Sequence, residues 1–339
     1  MWDIISLGEV LLRFDPGDTR IEQARSFQVW EGGAEYNVAR AFASCFAKRA
    51  LCLTWLVDNP VGRLVETLMR GSGLDLSGIR WQTEEGPSGL RNGLNFVERG
   101  FGVRPPRGMS DRAHTPTRAA RPADFAWDEL LHVKRTRLFH TGGVFAGLSD
   151  HTASVAALAM REAKASGSLV SFDLNYRDSL WHSRGGRPAA NKLSAELLRH
   201  ADVCFGVMTL EPEAHADRAV VERALLEFKS AHPELSYIAT SLRIVHDHCR
   251  HSFGGACLSP QGLHYRAPQP FSIFDRVGGG DGFASGFLFA LLEGLSCETA
   301  LDYGIAHGAL VMSTPGDNSM IRLAELETLV DRTSLEMAR

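Results

Sequence analysis

Long apolar runs are missing from this chain, and so is any excess of positive charge. No stretch approaches the roughly 20 residues that a membrane-spanning helix needs, so no membrane association is expected. A formal net charge of -4 over 339 residues gives no general attraction for nucleic acid or an acidic lipid surface, so any anion must be bound by a local site. The start, Met1-Trp2-Asp3-Ile4-Ile5-Ser6, lacks the basic region of a secretory signal and runs straight into a strand pattern; a cytoplasmic location is expected. The six cysteines (45, 52, 204, 249, 257, 297) show no C-x-x-C spacing and read as reduced, mostly buried thiols. No G-x-S-x-G, Walker-type or H-E-x-x-H spacing occurs, which lowers the case for a serine hydrolase, a P-loop NTPase or a zinc protease. G-x-G-x-x-G is also missing after the first strand.

What is there is an ordinary globular composition, 44% hydrophobic and 22% charged, enough to bury a large core as one α/β domain or two modest ones. Residues 3–9 read as a buried strand and 34–46 as an amphipathic helix. Strand-like runs follow at 50–56, 138–141, 169–174, 203–205 and 237–241. They alternate with helical runs at 61–70, 149–166, 191–200 and 219–232. That alternation predicts a mostly parallel sheet with helices on both faces, and ligands gather at the carboxyl ends of such strands. Residues 11–29 and 90–112 break the pattern with short alternating runs and turn residues, and form a small β excursion. The arginines of the second segment (Arg91, Arg99, Arg104, Arg107, Arg112) belong either to a lid over an acidic ligand or to a solvated β surface. Residues 115–124 read as a connector. The run His246-Asp247-His248-Cys249-Arg250-His251 reads as a histidine-bearing strand near a sheet edge; a metal site there lacks a second cluster of ligands.

Three short stretches carry chemistry. Asp275-Arg276-Val277-Gly278-Gly279-Gly280-Asp281 precedes an apolar helical run; glycines let several N–H groups converge, and the helix start adds positive potential, so an anion fits there. Asp281 is then placed either as a simple helix cap or as a base for a hydroxyl that attacks a phosphate. Gly32-Gly33-Ala34-Glu35-Tyr36-Asn37 opens the first long helix, and serves either tight helix–sheet packing or close approach to a hydroxylated ligand through Asn37. Asp173-Leu174-Asn175-Tyr176-Arg177 follows a strand; Arg177 either binds a carboxylate or phosphate in a fork or pairs with Asp178.

Taken in order, the Gly32–Asn37 and Asp275–Asp281 stretches resemble the two signatures of the PfkB, or ribokinase-like, carbohydrate kinases, and the resemblance covers nearly the whole chain. With Asp173–Arg177, Asp275-Arg276-Val277 and Arg91-Asn92-Gly93-Leu94-Asn95-Phe96, it is most similar to the 2-keto-3-deoxygluconate kinases. The resemblance implies a three-layer α/β/α core (1–10, 30–89 and 113–339), a mostly parallel sheet, and a small β-sheet lid (11–29 and 90–112). It implies transfer of the ATP γ-phosphoryl group to a sugar or sugar-acid hydroxyl, with ATP and Mg²⁺. Asp281 is the implied base, and the amides of Gly278, Gly279 and Gly280 the implied anion hole. Gly33, Asn37, Asn95, Arg112, Arg177, Asp281 and Asp317 are implied at the substrate. Ser241, His307, Gly278 and Gly280 are implied at the nucleotide. A homo-oligomer through the lid is a further expectation.

The chain also departs from the family pattern. Where an Asn-x-x-Glu element helps to organise Mg²⁺, residues 207–213 read Val-Met-Thr-Leu-Glu-Pro-Glu, leaving Glu211 and Glu213 as metal candidates without the Asn. Gly282 stands where alanine is common, at a small cost to the helix start. Asn95 and Ser110 stand where lid aromatics are expected, which implies a more open or differently selective sugar pocket. Two other readings keep the fold: a kinase of a neutral sugar such as fructose or of a nucleoside, and a non-catalytic sugar- or nucleotide-binding protein.

Overall fold

Helix starts are written in capping residues. Asn59 accepts from the Gly62 N–H at 3.0 Å just ahead of Pro60, and Ser149 accepts from the Thr152 N–H at 3.1 Å. In the computed structural model, which describes residues 1–83 and 89–331, these signals bound a long alternation of strands and helices. The chain begins with β1 (Trp2–Leu7), β2 (Leu11–Asp15), β3 (Gln28–Gly32), α1 (Ala34–Ser44), β4 (Ala50–Val57), α2 (Pro60–Gly71) and β5 (Ile79–Gln82). It continues through β6 (Gly93–Glu98), β7 (Arg107–Asp111), β8 (Thr136–Gly142), α3 (Gly143–Ala146), α4 (Asp150–Ala165), β9 (Leu169–Asp173) and α5 (Asp178–Trp181). Then come α6 (Gly186–Leu198), β10 (Val203–Phe205), α7 (Arg218–Ala231), β11 (Tyr237–Val245), β12 (Arg250–Ser259) and β13 (Gly262–Ser272). Helices α8 (Gly279–Leu292), α9 (Cys297–Val311) and α10 (Leu323–Asp331) complete it. Residues 84–88 and 332–339, assigned to the core in the sequence reading, lie outside the described residues.

The large sheet runs β13-β12-β11-β10-β9-β8-β1-β4-β5. Pairing is parallel from β11 to β5, while β11, β12 and β13 form an antiparallel edge. Because strand side chains alternate between faces, neighbours on β1 enter different cores. Ile4 packs beneath the α1, α8 and α9 layer and Ile5 beneath the α4, α6 and α7 layer, both 0% exposed. Helices therefore cover both faces of a mostly parallel sheet, as the alternation predicts. Strand order reverses between β1 and β8, so their carboxyl ends open a crevice.

A second sheet, ordered β3-β2-β6-β7, stands over that crevice. Its strands come from the two segments that broke the alternation, with β3 reaching Gly32, three residues past the expected end. The histidine-rich stretch corrects the sequence reading: residues 246–249 form the turn between β11 and β12, not a strand. A short polar run that reverses direction has the same alternation as a strand edge, so periodicity alone misassigned it. In this turn the His248 N–H donates to the Gly102 carbonyl at 3.4 Å, and the Gly102 N–H donates to Cys249 Sγ at 3.2 Å, so the tip of the second sheet rests on it. Among the described residues no helix is long and apolar enough to cross a membrane.

Candidate active site

Helix α8 begins on Gly278, whose φ of +79° is left-handed, and a Cβ there would lie 2.2 Å from the Asp317 carbonyl oxygen. Only glycine fits that turn. The first-turn amides of α8, beside Asp281, have no partner within the helix. Across the crevice, Gly33 joins β3 to α1, and a Cβ on it would lie 2.0 Å from the Glu9 carbonyl oxygen. That close approach brings α1 against the end of β1. One turn into α1, Asn37 Nδ2 donates to Asp281 Oδ2 at 2.6 Å. The two stretches read separately in the sequence thus share one hydrogen bond.

They floor a cavity of about 1080 Å³ between the strand ends of the large sheet and the second sheet. Gly33, Asn37, Asn95, Arg112, Arg177 and Ser241 line it, together with Gly278, Gly279, Gly280, Asp281 and Asp317. Burial pushes the Asp281 carboxyl well above the usual carboxylate range. The Asn37 hydrogen bond and the charge of Arg177 oppose the rise, while Asp173 and Asp317 add to it. Asp173 is pushed to about 6, again chiefly by burial, against the pull of Arg177.

Asp178 accepts from the Tyr176 hydroxyl at 3.1 Å rather than pairing with Arg177. Among the described residues the Arg177 guanidinium makes no hydrogen bond or ion pair, though its charge acts on Asp173 and Asp281, and it lines the cavity. Arg112 pairs with Glu9 at 2.5 Å. Asn95 accepts from the Ser110 hydroxyl at 3.0 Å, so the two polar residues standing at the lid-aromatic positions bond each other across β6 and β7.

Three expected site residues lie elsewhere. His307 is 0% exposed and holds α8 to α9, with Nδ1 at 2.9 Å from both the Gly282 carbonyl and Ser285 Oγ, and Nε2 2.9 Å from Ser319 Oγ. It is a core histidine, kept neutral by burial that lowers it to about 4. Glu211 pairs with Arg187 at 3.5 Å on the surface, and Glu213 sits exposed in the short turn that follows; neither lines the cavity. From residues 207–216, which lack the Asn that the element is expected to carry, His215 lines the cavity, and its Nδ1 accepts from the Arg243 N–H at 3.0 Å. Among the described residues, no group of three or more His, Cys, Asp or Glu is arranged to hold a metal ion.

Other groups at the site were given no site role in the sequence reading. Arg243 on β11 and Arg276 beside the glycines line the cavity without a carboxylate partner among the described residues. Burial first, then the charges of Arg276 and Arg177, lowers the Arg243 pKa. Unpaired cations that repel each other mark a seat for an anion the chain does not supply. His251 adds a buried Nδ1 with no partner. Glu35, 1% exposed, accepts from the Phe145 N–H at 3.1 Å behind the cavity, and burial pushes its carboxyl up to about 7. No local signal marks Arg243, and His251 stands out only as the end of the His246–His251 run; the two come together only when β11 and β12 pair. Gly282 also gains a reason, since a Cβ there would lie 2.8 Å from Val311 Cγ2, where α8 and α9 press together.

The pattern of the pfkB family carbohydrate kinases matches residues 253–323, which include the glycine turn and Asp281. A 2-dehydro-3-deoxygalactonokinase of Haloferax volcanii is 31% identical over 331 residues, 97% of this chain and 96% of its own length. The crystal structure of a 2-dehydro-3-deoxygluconokinase from Thermotoga maritima superposes with a TM-score of 0.89 at 27% identity, covering 98% of this chain and all of that one. A sugar kinase from Pyrococcus horikoshii in complex with ATP shares the fold, with a TM-score of 0.72 at 19% identity over 96% of this chain and 99% of its own. Matched end to end by a relative with 31% identical residues, and built on the same fold, this chain belongs to the pfkB family of carbohydrate kinases, phosphotransferases with an alcohol group as acceptor.

Proposed function

We propose that the protein transfers the γ-phosphoryl group of ATP to a hydroxyl of 2-keto-3-deoxygluconate or a close sugar acid. The observation that carries this reading is the Asn37–Asp281 hydrogen bond at the foot of α8, below unpartnered arginines. A base, an anion cradle and cations for an acidic substrate share one cavity. The names of the Haloferax volcanii and Thermotoga maritima relatives supply the substrate class.

ATP supplies the phosphoryl group when bound. Asp281 Oδ accepts the proton of the attacking sugar hydroxyl, the oxygen bonds to the γ-phosphorus, and the bond to the β-phosphate oxygen breaks to release ADP. A carboxylate is a weak base toward an alcohol, but a loose transition state releases the proton late, so placement matters more than strength. Asn37 supplies that placement by fixing one carboxylate oxygen and leaving the other for the hydroxyl. The Gly278, Gly279 and Gly280 amides, with the positive end of α8, receive charge on the transferring group. Arg243 and Arg276 hold the phosphate tail, beside Ser241. Arg177 receives the substrate carboxylate in a forked contact, and Gly33, Asn95, Arg112 and Asp317 border the sugar. The second sheet acts as the lid that keeps water from the phosphoryl group. Mg²⁺ would neutralise charge on the phosphates; Glu211 and Glu213, which do not line the cavity, are not placed to hold it there.

The deciding experiment couples ADP release to a dye signal, with ATP, Mg²⁺ and a panel of keto-deoxy sugar acids, neutral sugars and nucleosides. Turnover is expected on the sugar acids. ADP release confined to neutral sugars or nucleosides moves the protein to another kinase class, and release with none of them removes the reading.

A further inference from the structure

Arg13 belongs to β2 of the second sheet, yet its side chain leaves that sheet and ends among carboxylates of the core. It is 0% exposed. Its Nη1 donates to Asp317 Oδ1 at 2.5 Å and its Nη2 donates to Asp275 Oδ2, with Asp15 3.7 Å away and held in turn by Arg99 at 3.2 Å. Each of the two main partners governs one side of the glycine turn. Asp275 Oδ1 accepts from the Val277 N–H at 3.2 Å, which fixes the chain entering the turn. Asp317 contributes the carbonyl oxygen against which Gly278 packs, with no room for a Cβ. A planar guanidinium that donates one Nη to each of two carboxylates fixes both the distance and the angle between them, which a flexible ammonium does not.

We infer that Arg13 is a positioning residue for phosphoryl transfer. It ties strand β2 to both sides of the Gly278–Gly280 turn, so that the lid sheet and the anion-binding amides take up working geometry together. The inference rests on the reading of that turn as the anion hole. Two features separate it from a simple core anchor. The side chain crosses from one sheet to another, and both partners line the cavity, where a change in their placement reaches the reacting groups.

Steady-state kinetics, ADP binding by calorimetry and thermal melts on wild type, Arg13→Lys and Arg13→Ala test it. Arg13→Lys keeps the charge but loses the fork. Its kcat is expected to fall about 10²-fold, the loss that misplacement of about 1 Å brings, while KM for the sugar acid changes little and ADP binds more weakly. In Arg13→Ala, millimolar guanidinium is expected to restore part of kcat, a rescue that general destabilisation does not allow. Should Arg13→Ala fail to fold, Arg13→Gln/Asp275→Asn, which removes one buried charge of each sign, is assayed in its place and is expected to be folded and slow. A lowered melting temperature with wild-type kcat and wild-type ADP affinity overturns the inference. Wild type that turns over no sugar overturns the kinase reading instead, and ADP affinity then decides for Arg13: unchanged affinity in Arg13→Lys sinks the inference, weakened affinity supports it.

Discussion

Asn37 and Asp281 stand 244 positions apart and are joined by a 2.6 Å hydrogen bond in which the amide donates to the carboxylate. The bond favours the charged carboxylate, so it holds down a pKa that burial drives up. Asn37→Ala removes that restraint. A base must be unprotonated to act, so the acid limb of the kcat/KM profile is expected to shift to higher pH. An unmoved limb in the pH–rate profile would show that the pair does not set the pKa of the base.

Asp281→Asn keeps the shape and removes the proton acceptor. Loss of a general base costs about 10²- to 10⁴-fold, and that fall is expected in kcat, with ADP affinity nearly kept. Single-turnover rates and calorimetry on the same sample read the two effects separately.

Gly278→Ala places a methyl carbon 2.2 Å from the Asp317 carbonyl oxygen at a φ of +79°. The turn must open, so the anion hole loses its geometry. A fall in kcat of about 10²-fold or more is expected, beside a lower melting temperature. Gly280→Ala meets no atom within 4 Å and serves as the control for stability.

Arg177→Ala separates the substrate classes. Charge-assisted hydrogen bonds are worth about 1.5–3 kcal/mol, so kcat/KM on a sugar acid should drop about 10- to 100-fold. Turnover of a neutral sugar, where measurable, should not change. Equal losses on both classes would assign Arg177 to the nucleotide or to the fold.

Glu35 gives a pH dependence of stability. Its carboxyl is pushed from 4.5 to about 7 in the folded chain, so between those values the folded state holds a proton that the unfolded state has released. Stability from this group is full below pH 4.5 and is lost as pH rises toward 7, by about 3 kcal/mol in all. Melting temperatures of Glu35→Gln across that range should slope less than those of wild type.

The alternation of runs made the core legible, since apolar strands buried on both faces and capped helices each carry a local pattern. Pattern failed where pairing, not propensity, decides. Strands β12 and β13 and the turn at 246–249 depend on an antiparallel edge that no local signal announces. Asp281, its glycines, Asn37 and Arg177 stood out because backbone geometry at a turn and charge after a strand are local properties. His307, Glu211 and Glu213 were carried over by resemblance, and the structure places them outside the cavity because one faces a helix–helix seam and the others a surface turn.

By itself the sequence determined the layered α/β class, the glycine turn and the carboxylate that follows it, because these depend on residue type and near neighbours. Only the tertiary structure decided which residues meet: that Asn37 holds Asp281, that Arg13 leaves its own sheet for Asp275 and Asp317, and that Arg243 and Arg276 face the cavity unpaired. Contacts between distant segments are set by how the layers pack, and packing has no signature in any short stretch of chain.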